Sequence, residues 1–187
     1  MKLNLGCGQN HIDGFLNVDK DGDPEVKVDL EVFPWPWKDG SVDEIVMYHS
    51  LEHMGADAKT FAGIMKELYR GCSHWAVIHI AVPHPRHDHF LDDPTHVRVI
   101  TPQLMCCFSK KLCLQAKAEG APNSPLALYH DIDFFLEAAT YTLDPVYDAK
   151  LKQGVINEQE LAAAMREHNT VIAEWRMDLR VIKEAAK

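Results

Sequence analysis

The first twenty residues constrain the fold of this chain more than any other segment. Residues 3–5 read as a short buried strand that enters a turn at Gly6 and Gly8, and a second apolar run ends at Asp19. Glycine adopts backbone angles closed to other residues and lets a ligand lie against the main chain. A carboxylate at the tip of the neighbouring strand can accept hydrogen bonds from both hydroxyls of a ribose. The segment therefore predicts a nucleoside site at the N-terminus.

The length and composition fit a single domain. The chain has 187 residues, of which 47% are hydrophobic, and this is enough for one core. We expect one domain over residues 1–187. Because Met1 and Lys2 lead directly into the first strand, we expect no signal peptide. No apolar run approaches the roughly 20 residues that span a bilayer, so we expect a cytoplasmic protein with no membrane partner.

The charge balance bears on the class of partner. The formal net charge is −9, whereas proteins that bind a phosphate backbone present a broad basic surface. We therefore expect no nucleic-acid partner. The five cysteines are odd in number and lack the paired spacing of a zinc finger, which predicts reduced thiols.

Strand and helix patterns continue along the chain. Residues 25–30 and 42–48 alternate as strands, and residues 57–70 carry apolar side chains at helical spacing before Gly71. Two prolines exclude helix and central strand from residues 33–37. Residues 75–82 predict a further strand, and Thr101 caps a helix through about Lys111.

The last third predicts a strand, a helix and a strand. Residues 132–143 read as a strand, and Asn157 with Glu160 forms the signature of a capping box for a helix to about His168. Apolar and charged residues then alternate over 174–181, which is typical of a half-buried antiparallel strand near a sheet edge. The series predicts an α/β fold: a Rossmann-like three-layer sandwich with a mostly parallel sheet and an antiparallel C-terminal edge strand.

An ordered series of short motifs carries a family resemblance. The motifs are Leu5-Gly6-Cys7-Gly8, Asn17-Val18-Asp19, Asp29-Leu30, residues 33–45 and Leu51-Glu52-His53. With them the sequence resembles the class I S-adenosylmethionine-dependent methyltransferases, most of all the small bacterial and phage branch related to the type 11 methyltransferases. The resemblance covers residues 3–101 and implies S-adenosylmethionine as cofactor.

The resemblance also implies which residues contact the cofactor. Gly6, Cys7 and Gly8, with Leu5 before them, would line its methionine and ribose side, and Asp19 would hold the ribose hydroxyls. Asp29 and Leu30 would flank the adenine, and His49 and Ser50 would lie beside the cofactor. Solvated strand ends are the alternative for Asp19 and Asp29, and a small buried side chain is the alternative for Cys7.

The glycine turn and the length of the segment after it both depart from the family pattern. Asn4 stands where the family has an acid, and Gln9-Asn10 follows Gly8 where a third glycine is usual. Residues 9–18 are also too few for the usual first helix, because a dinucleotide fingerprint has about 20 residues between glycines and acid.

A histidine-rich loop follows the predicted strand at 75–82. Residues 84–96 hold four of the eleven histidines and three aspartates. The resemblance suggests a loop over the acceptor, and the alternatives are a structural loop or a metal site. A set of two histidines and a carboxylate could be drawn from it, but its spacing matches no metal signature, so we predict no metal.

Four residues are candidates for catalysis: His53, His84, Asp93 and His96. Imidazole titrates near neutrality, so any of the histidines could serve as a base; for His53 a structural role at a helix start is the alternative. We predict methyl transfer to a small-molecule or glycan-like acceptor. The alternatives are a metal-dependent hydrolase that uses loop 84–96, or an S-adenosylmethionine-binding module without turnover.

Overall fold

One seven-stranded sheet organises the molecule. The structure, a computed structural model, describes residues 1–183; the end of the predicted domain, 184–187, lies outside the described residues. The strands are β1 (Lys2–Leu5), β2 (Leu16–Asp19), β3 (Val26–Lys27), β4 (Val42–Tyr48), β5 (Cys72–Pro83), β6 (Phe134–Leu143) and β7 (Ile172–Val181). Their order across the sheet is β3-β2-β1-β4-β5-β7-β6.

All helices of the described residues come after β4. A short 3₁₀ helix, Leu51–His53, comes directly after β4. The α-helices are α1 (Ala58–Gly71), α2 (Asp88–Leu91), α3 (Pro102–Cys106), α4 (Lys110–Glu119), α5 (Leu126–His130), α6 (Pro145–Lys152) and α7 (Glu158–Glu167). None of these helices, within residues 1–183, is long and apolar enough to cross a bilayer.

The sheet confirms the predicted fold class. Strands β1 to β5 pair in parallel, whereas β7 runs antiparallel to both β5 and β6. The C-terminal strand β7 thus belongs to an antiparallel pair at the edge, with β6 outermost. Because the parallel strands end on one side of the sheet, Gly6, Asp19 and His49 are brought to the same rim.

The two faces of the sheet differ in polarity. Leu3, Ile45 and Ile78 point to one face, where they pack in the core with α1 residues Phe61 and Ile64. The opposite face carries a row of charges across the strands. Lys2 pairs with Glu44 at 2.6 Å, and His79 lies 3.6 Å from Glu44 and 2.6 Å from Asp178. These four side chains are between 25% and 52% exposed, so this part of the face is open to solvent.

Loops rather than helices join the first four strands over residues 6–41. A network of side-chain amides closes the loop between β1 and β2. Asn4 Nδ2 donates to Asn17 Oδ1 and to the Asn10 carbonyl, both at 2.8 Å, and Asn17 Oδ1 also accepts from the Ile12 amide at 2.9 Å. Asn4 and Asn17 are buried, so these bonds satisfy polar groups that would otherwise be costly.

The third strand, β3, is shorter than the strand predicted over residues 25–30. Only Val26–Lys27 pairs with β2, because polar groups at both ends make other bonds. Before the strand, the Glu25 carboxylate accepts from the Asn17 amide at 2.6 Å. After it, Asp29 Oδ1 accepts from the Glu31 amide at 2.9 Å and starts a turn. The bond from Asn17 also lowers the pKa of Glu25.

Two helix ends differ from the prediction. Gly71 was expected to stop α1 but is its last residue, and a Cβ at Gly71 would meet Trp37 Nε1 at 2.7 Å. The helix predicted through Lys111 is interrupted after Cys106, because Phe108 turns into the core and Ser109 caps a new helix, α4. The capping box of Asn157 and Glu160 is confirmed.

A charged clamp holds the proline-rich segment 33–37 against α1. Glu67 Oε2 accepts from the Trp35 amide at 2.7 Å, and Arg70 donates to Glu67 at 2.7 Å and to the carbonyls of Trp35 and Trp37 at 3.1 and 2.9 Å. Burial opposes ionisation of Glu67, but the hydrogen bonds from Arg70 and Trp35 hold its pKa below the usual value. The clamp satisfies backbone groups that lie outside any strand.

We predict that Glu67→Gln lowers the free energy of unfolding by about 2 kcal/mol, because a charged acceptor is lost beside Arg70 and a buried amide. Urea unfolding measures this. The matched control is Lys152→Gln, which removes the exposed Lys152–Asp148 pair at 2.7 Å and should change stability by less than about 0.5 kcal/mol. Equal losses in the two variants would contradict the role of the clamp.

Candidate active site

The turn after β1 packs directly against the chain that follows β4. Gly6 has φ +69°, and a Cβ at this position would meet Ser50 Cβ at 2.4 Å. Ser50 Oγ donates to the Leu5 carbonyl at 3.0 Å, and the Gly6 amide donates to the Val18 carbonyl at 2.8 Å. Glycine is therefore required here for both its backbone angle and its lack of a side chain. The contact fixes where the ends of three strands meet.

Asp19 is held in position by the same turn. Its Oδ2 accepts from the Gly8 amide at 2.8 Å and its Oδ1 accepts from the Asp21 amide at 3.0 Å. Each carboxylate oxygen can accept more than one hydrogen bond, so both retain acceptor capacity for a ligand. The carboxylate is thus oriented before anything binds.

A cleft opens above these residues at the rim of the sheet. We call it the glycine cleft; it has a volume of about 250 Å³. Its lining combines bare backbone, carboxylates and apolar side chains. The lining residues are Gly6, Gly8, Asp19, Lys20, Val28, Asp29, Leu30, Glu31, His49, Ser50, His53 and Met54.

Most of the residues expected to contact a cofactor line the glycine cleft, and Leu5 and Cys7 do not. Leu5 is buried in the core and contributes its carbonyl to Ser50. Cys7 is buried beneath the turn, and burial, followed by the nearby Asp19 charge, raises the pKa of its thiol. These placements favour the packing alternative for Cys7 over a reactive thiolate.

Sequence reasoning missed Lys20, Val28, Glu31 and Met54 in this cleft. Lys20 and Val28 are adjacent to predicted ligand residues, so that adjacency was a usable signal. Glu31 is likewise adjacent to Leu30, and its carboxylate also accepts from the Gly55 amide at 2.7 Å. This bond spans two distant segments, and no local pattern indicates it.

A second cleft lies next to the first. We call it the histidine cleft, and it shares His49 and His53 with the glycine cleft. Its lining comes from the 3₁₀ helix, loop 84–96 and the antiparallel strands. The remaining lining residues are Glu52, Pro83, His89, Asp93, His96, Thr142, Ala173, Glu174 and Arg176. Thr142 on β6 and Glu174 and Arg176 on β7 were not expected at a site, since they read only as the polar face of strands.

The structure brings together three of the four candidate residues for catalysis. His53, Asp93 and His96 line the histidine cleft, and the rings of His53 and His96 have centroids 4.6 Å apart. His84 does not join them. It is buried, its Nδ1 accepts from the Arg86 amide at 3.2 Å, and its ring packs on Trp175.

Burial, together with the charge of Arg86, lowers the pKa of His84. His87, from the same loop, is also buried away from the cleft. Its Nδ1 accepts from the His89 amide at 3.0 Å, and its Nε2 lies 3.3 Å from Asp144. Both histidines therefore serve the loop itself.

His49 lies at the junction of the two clefts with φ 52°. Its Nε2 is 2.7 Å from Glu174 and its Nδ1 is 3.6 Å from Glu52. The carboxylates of Glu52 and then Glu174 raise the pKa of His49 against the effect of burial. A positive φ outside glycine is uncommon, and here it follows β4 at the point where the chain turns toward Ser50.

Comparisons with known proteins bear on the fold. No protein-family model matches the chain, and no curated protein sequence matches it. Among solved structures, a SAM dependent methyltransferase from Archaeoglobus fulgidus aligns with TM-score 0.60 and 17% identity over 96% of this chain and 85% of that one. The chain has the fold of the S-adenosylmethionine-dependent methyltransferases.

Two further structures have the same fold. The YcgJ protein from Bacillus subtilis aligns with TM-score 0.54 and 14% identity over 98% of this chain and 92% of that one. The [4+2]-cyclase SpnF aligns with TM-score 0.51 and 11% identity over 98% and 75%. At such identities the likeness concerns the fold, and function rests on the site itself.

We predict that Gly6→Ala destabilises the protein by about 3 kcal/mol, because the left-handed angle costs about 1 kcal/mol and the overlap with Ser50 costs more. Gly8→Ala is the matched control, since Gly8 has φ +50° with open space around its Cβ position; it should lose only about 1 kcal/mol.

In the double variant Gly6→Ala/Ser50→Gly the overlap is removed, so part of the loss should return. Urea unfolding of the three variants and the wild type measures these differences. Equal losses for Gly6→Ala and Gly8→Ala would show that the contact with Ser50 carries no cost.

Proposed function

We propose that this protein transfers a methyl group from S-adenosylmethionine to a small-molecule or glycan-like acceptor. The observation that carries the proposal is the pair of adjoining clefts, which share His49 and His53. A donor in the glycine cleft and an acceptor in the histidine cleft would meet at these two side chains. The fold supports the proposal, because such sites lie above the carboxyl ends of parallel strands.

The glycine cleft suits S-adenosylmethionine chemically. The carboxylate of Asp19 has free acceptor capacity for ribose hydroxyls, and the backbone at Gly6 and Gly8 offers close approach. The apolar side chains of Val28, Leu30 and Met54 offer a surface for a base. The cleft thus offers polar groups for the sugar and apolar groups for the base.

The residues of this chain have a modest chemical task. S-adenosylmethionine supplies an activated methyl group on a sulfonium, so the protein need only bind and align the reactants. For a hydroxyl acceptor, the bond from oxygen to the methyl carbon forms as the bond from that carbon to sulfur breaks. The hydroxyl proton then passes to a base in the histidine cleft, where His53, His89, His96 and Asp93 are available.

The histidine cleft favours a polar acceptor. Its lining carries imidazoles, the carboxylates of Asp93 and Glu174, and the guanidinium of Arg176. Such groups recognise hydroxyls by hydrogen bonds. The net charge of −9 supports an acceptor other than a nucleic acid. We also propose that residues 1–187 form one domain of the small branch related to the type 11 methyltransferases.

The second candidate is a module that binds S-adenosylmethionine without turnover. A third is an enzyme that catalyses a reaction other than methyl transfer, because the [4+2]-cyclase SpnF has the same fold. Release of S-adenosylhomocysteine from S-adenosylmethionine in the presence of hydroxyl-bearing small molecules and glycans distinguishes turnover from binding alone. A metal-dependent hydrolase is not favoured, because the glycine cleft would then have no role.

We predict that Asp19→Ala weakens the binding of S-adenosylhomocysteine by about 1.5 to 3 kcal/mol, which is the scale for loss of a charged hydrogen-bond acceptor. Isothermal titration calorimetry measures it. Asp29→Ala should lose less, because backbone groups share contacts with a base. Asp13→Ala, an exposed acid outside both clefts, is the control and should bind as the wild type does. Unchanged affinity in a folded Asp19→Ala variant would refute the assignment of the ribose site.

A further inference from the structure

Glu52 is a buried carboxylate without a hydrogen bond. The residue is 1% exposed, and neither Oε1 nor Oε2 has a hydrogen-bond partner among the described residues. Glu52 does have a longer contact with His49, whose Nδ1 lies 3.6 Å from Oε1 and whose other nitrogen lies 2.7 Å from Glu174. A buried charge without a close partner is costly. The proposed methyl transfer gives Glu52 no role.

Two imidazoles from different segments lie next to this carboxylate. One ligand atom each from Glu52, His53 and His96 lie within 4.8 Å of one another. Glu52 and His53 are consecutive in the 3₁₀ helix, whereas His96 comes from loop 84–96. The chain directly after this loop is tied to the helix, because the amides of Val97 and Arg98 donate to the Glu52 carbonyl at 2.9 and 3.1 Å. The three side chains are therefore held together by backbone bonds.

In both rings Nδ1 makes the hydrogen bond and Nε2 makes none within residues 1–183, although His96 Nε2 lies 3.8 Å from Asp93 Oδ2. His96 Nδ1 is 2.9 Å from the Phe90 carbonyl, which only accepts, so this Nδ1 carries the proton. Thr95 Oγ1 donates its one proton to Asp93 at 2.6 Å and so accepts from His53 Nδ1 at 2.9 Å. With the proton on Nδ1, the lone pair of each imidazole is on Nε2. Histidines that bind metals are typically oriented in this way.

We propose that Glu52, His53 and His96 bind a divalent transition-metal ion such as Zn²⁺. Two imidazoles and one carboxylate are a common ligand set for zinc and for iron(II), and imidazole ligands disfavour Mg²⁺ and Ca²⁺. The ion would offset the buried charge of Glu52. It would lie at the wall between the glycine cleft and the histidine cleft, since His53 lines both.

This position gives the ion a role toward an acceptor, and that role rests on the proposed function. An ion with three protein ligands keeps an open position, where it can hold a hydroxyl oxygen and ease loss of its proton. His53 and His96 would then act as ligands rather than bases. His89 and Asp93 remain in the histidine cleft to take the proton.

The first experiment measures metal content in protein without a histidine tag. Equilibrium dialysis of the metal-free protein against Zn²⁺ should give one ion per chain, and Co²⁺ should give a visible absorption band. Loss of a residue that hydrogen-bonds to a metal ligand weakens metal binding roughly 10- to 100-fold. Glu52→Gln and His96→Ala change the ligands themselves, so each should weaken Zn²⁺ binding by more than this. Thr95→Val leaves the ligands in place and removes the hydrogen bond to His53 Nδ1, so it should weaken Zn²⁺ binding by roughly 10- to 100-fold. His168→Ala, an exposed histidine, is the matched control and should bind as the wild type does.

Thermal unfolding gives an independent readout. Zn²⁺ should raise the midpoint of the wild type and leave that of Glu52→Gln unchanged. Without metal, Glu52→Gln should be at least as stable as the wild type, because it removes a buried charge whose ion pair with His49 is long, at 3.6 Å. A loss of stability in metal-free Glu52→Gln would show that His49 already compensates Glu52 and would overturn the proposal. Stoichiometric zinc in Glu52→Gln would overturn it too, since the ion would then sit on other groups such as the cysteines.

The affinity of S-adenosylhomocysteine for His96→Ala separates this proposal from the previous one. His96 lies outside the glycine cleft, so the variant should lose the metal and keep the nucleoside. A wild type that binds the metal but no nucleoside would refute methyl transfer and leave the metal site standing. A wild type that binds the nucleoside but no metal would do the opposite.

Discussion

The close approach of Gly6 to Ser50 sets the geometry of the whole rim. The absence of a side chain at Gly6 lets the turn after β1 lie against the chain that leaves β4, and the bond from Ser50 to the Leu5 carbonyl fixes that distance. The same turn presents the Gly8 amide to Asp19 and so orients the carboxylate at the end of β2. Three strand ends are thereby placed at one cleft. Polar groups that would recognise a ligand are oriented by bonds made within the protein, which lowers the entropy lost on binding.

The chain reaches this geometry without a helix between β1 and β2. Residues between β1 and β2 are too few for a helix, so a buried pair of amides, Asn4 and Asn17, takes over the task of satisfying the loop backbone. Asn4 therefore holds the turn through neutral hydrogen bonds. On the other side of the sheet, Glu67 and Arg70 do similar work for the loop that carries Trp35. In two places, therefore, polar side chains make the hydrogen bonds to loop backbone that regular secondary structure would otherwise make.

The histidine cleft depends on the antiparallel part of the sheet. Strand β7 inserts between β5 and β6, and this pairing brings Glu174 beside His49 and Arg176 to the cleft wall. The two residues that follow loop 84–96 are then bound to the 3₁₀ helix through the Glu52 carbonyl. Its histidines divide into two groups: His84 and His87 support the loop, and His96 joins Glu52 and His53. The proposed metal site would arise from that division.

The sequence by itself determined the parts of this protein that depend on local patterns. It specified the parallel strands, the glycine turn, Asp19 at the neighbouring strand end, the alternation of β7 and the capping box of α7, because periodicity and turn chemistry act over a few residues. It misjudged the length of β3, where Glu25 accepts a hydrogen bond from Asn17, and the break before α4, where Phe108 packs on the distant Phe61. Only the tertiary structure decided that His84 turns into the core while His96 meets Glu52. Neighbouring histidines of one loop look equivalent in sequence, and the contacts that tell them apart come from distant segments, such as Asp144, 57 residues from His87.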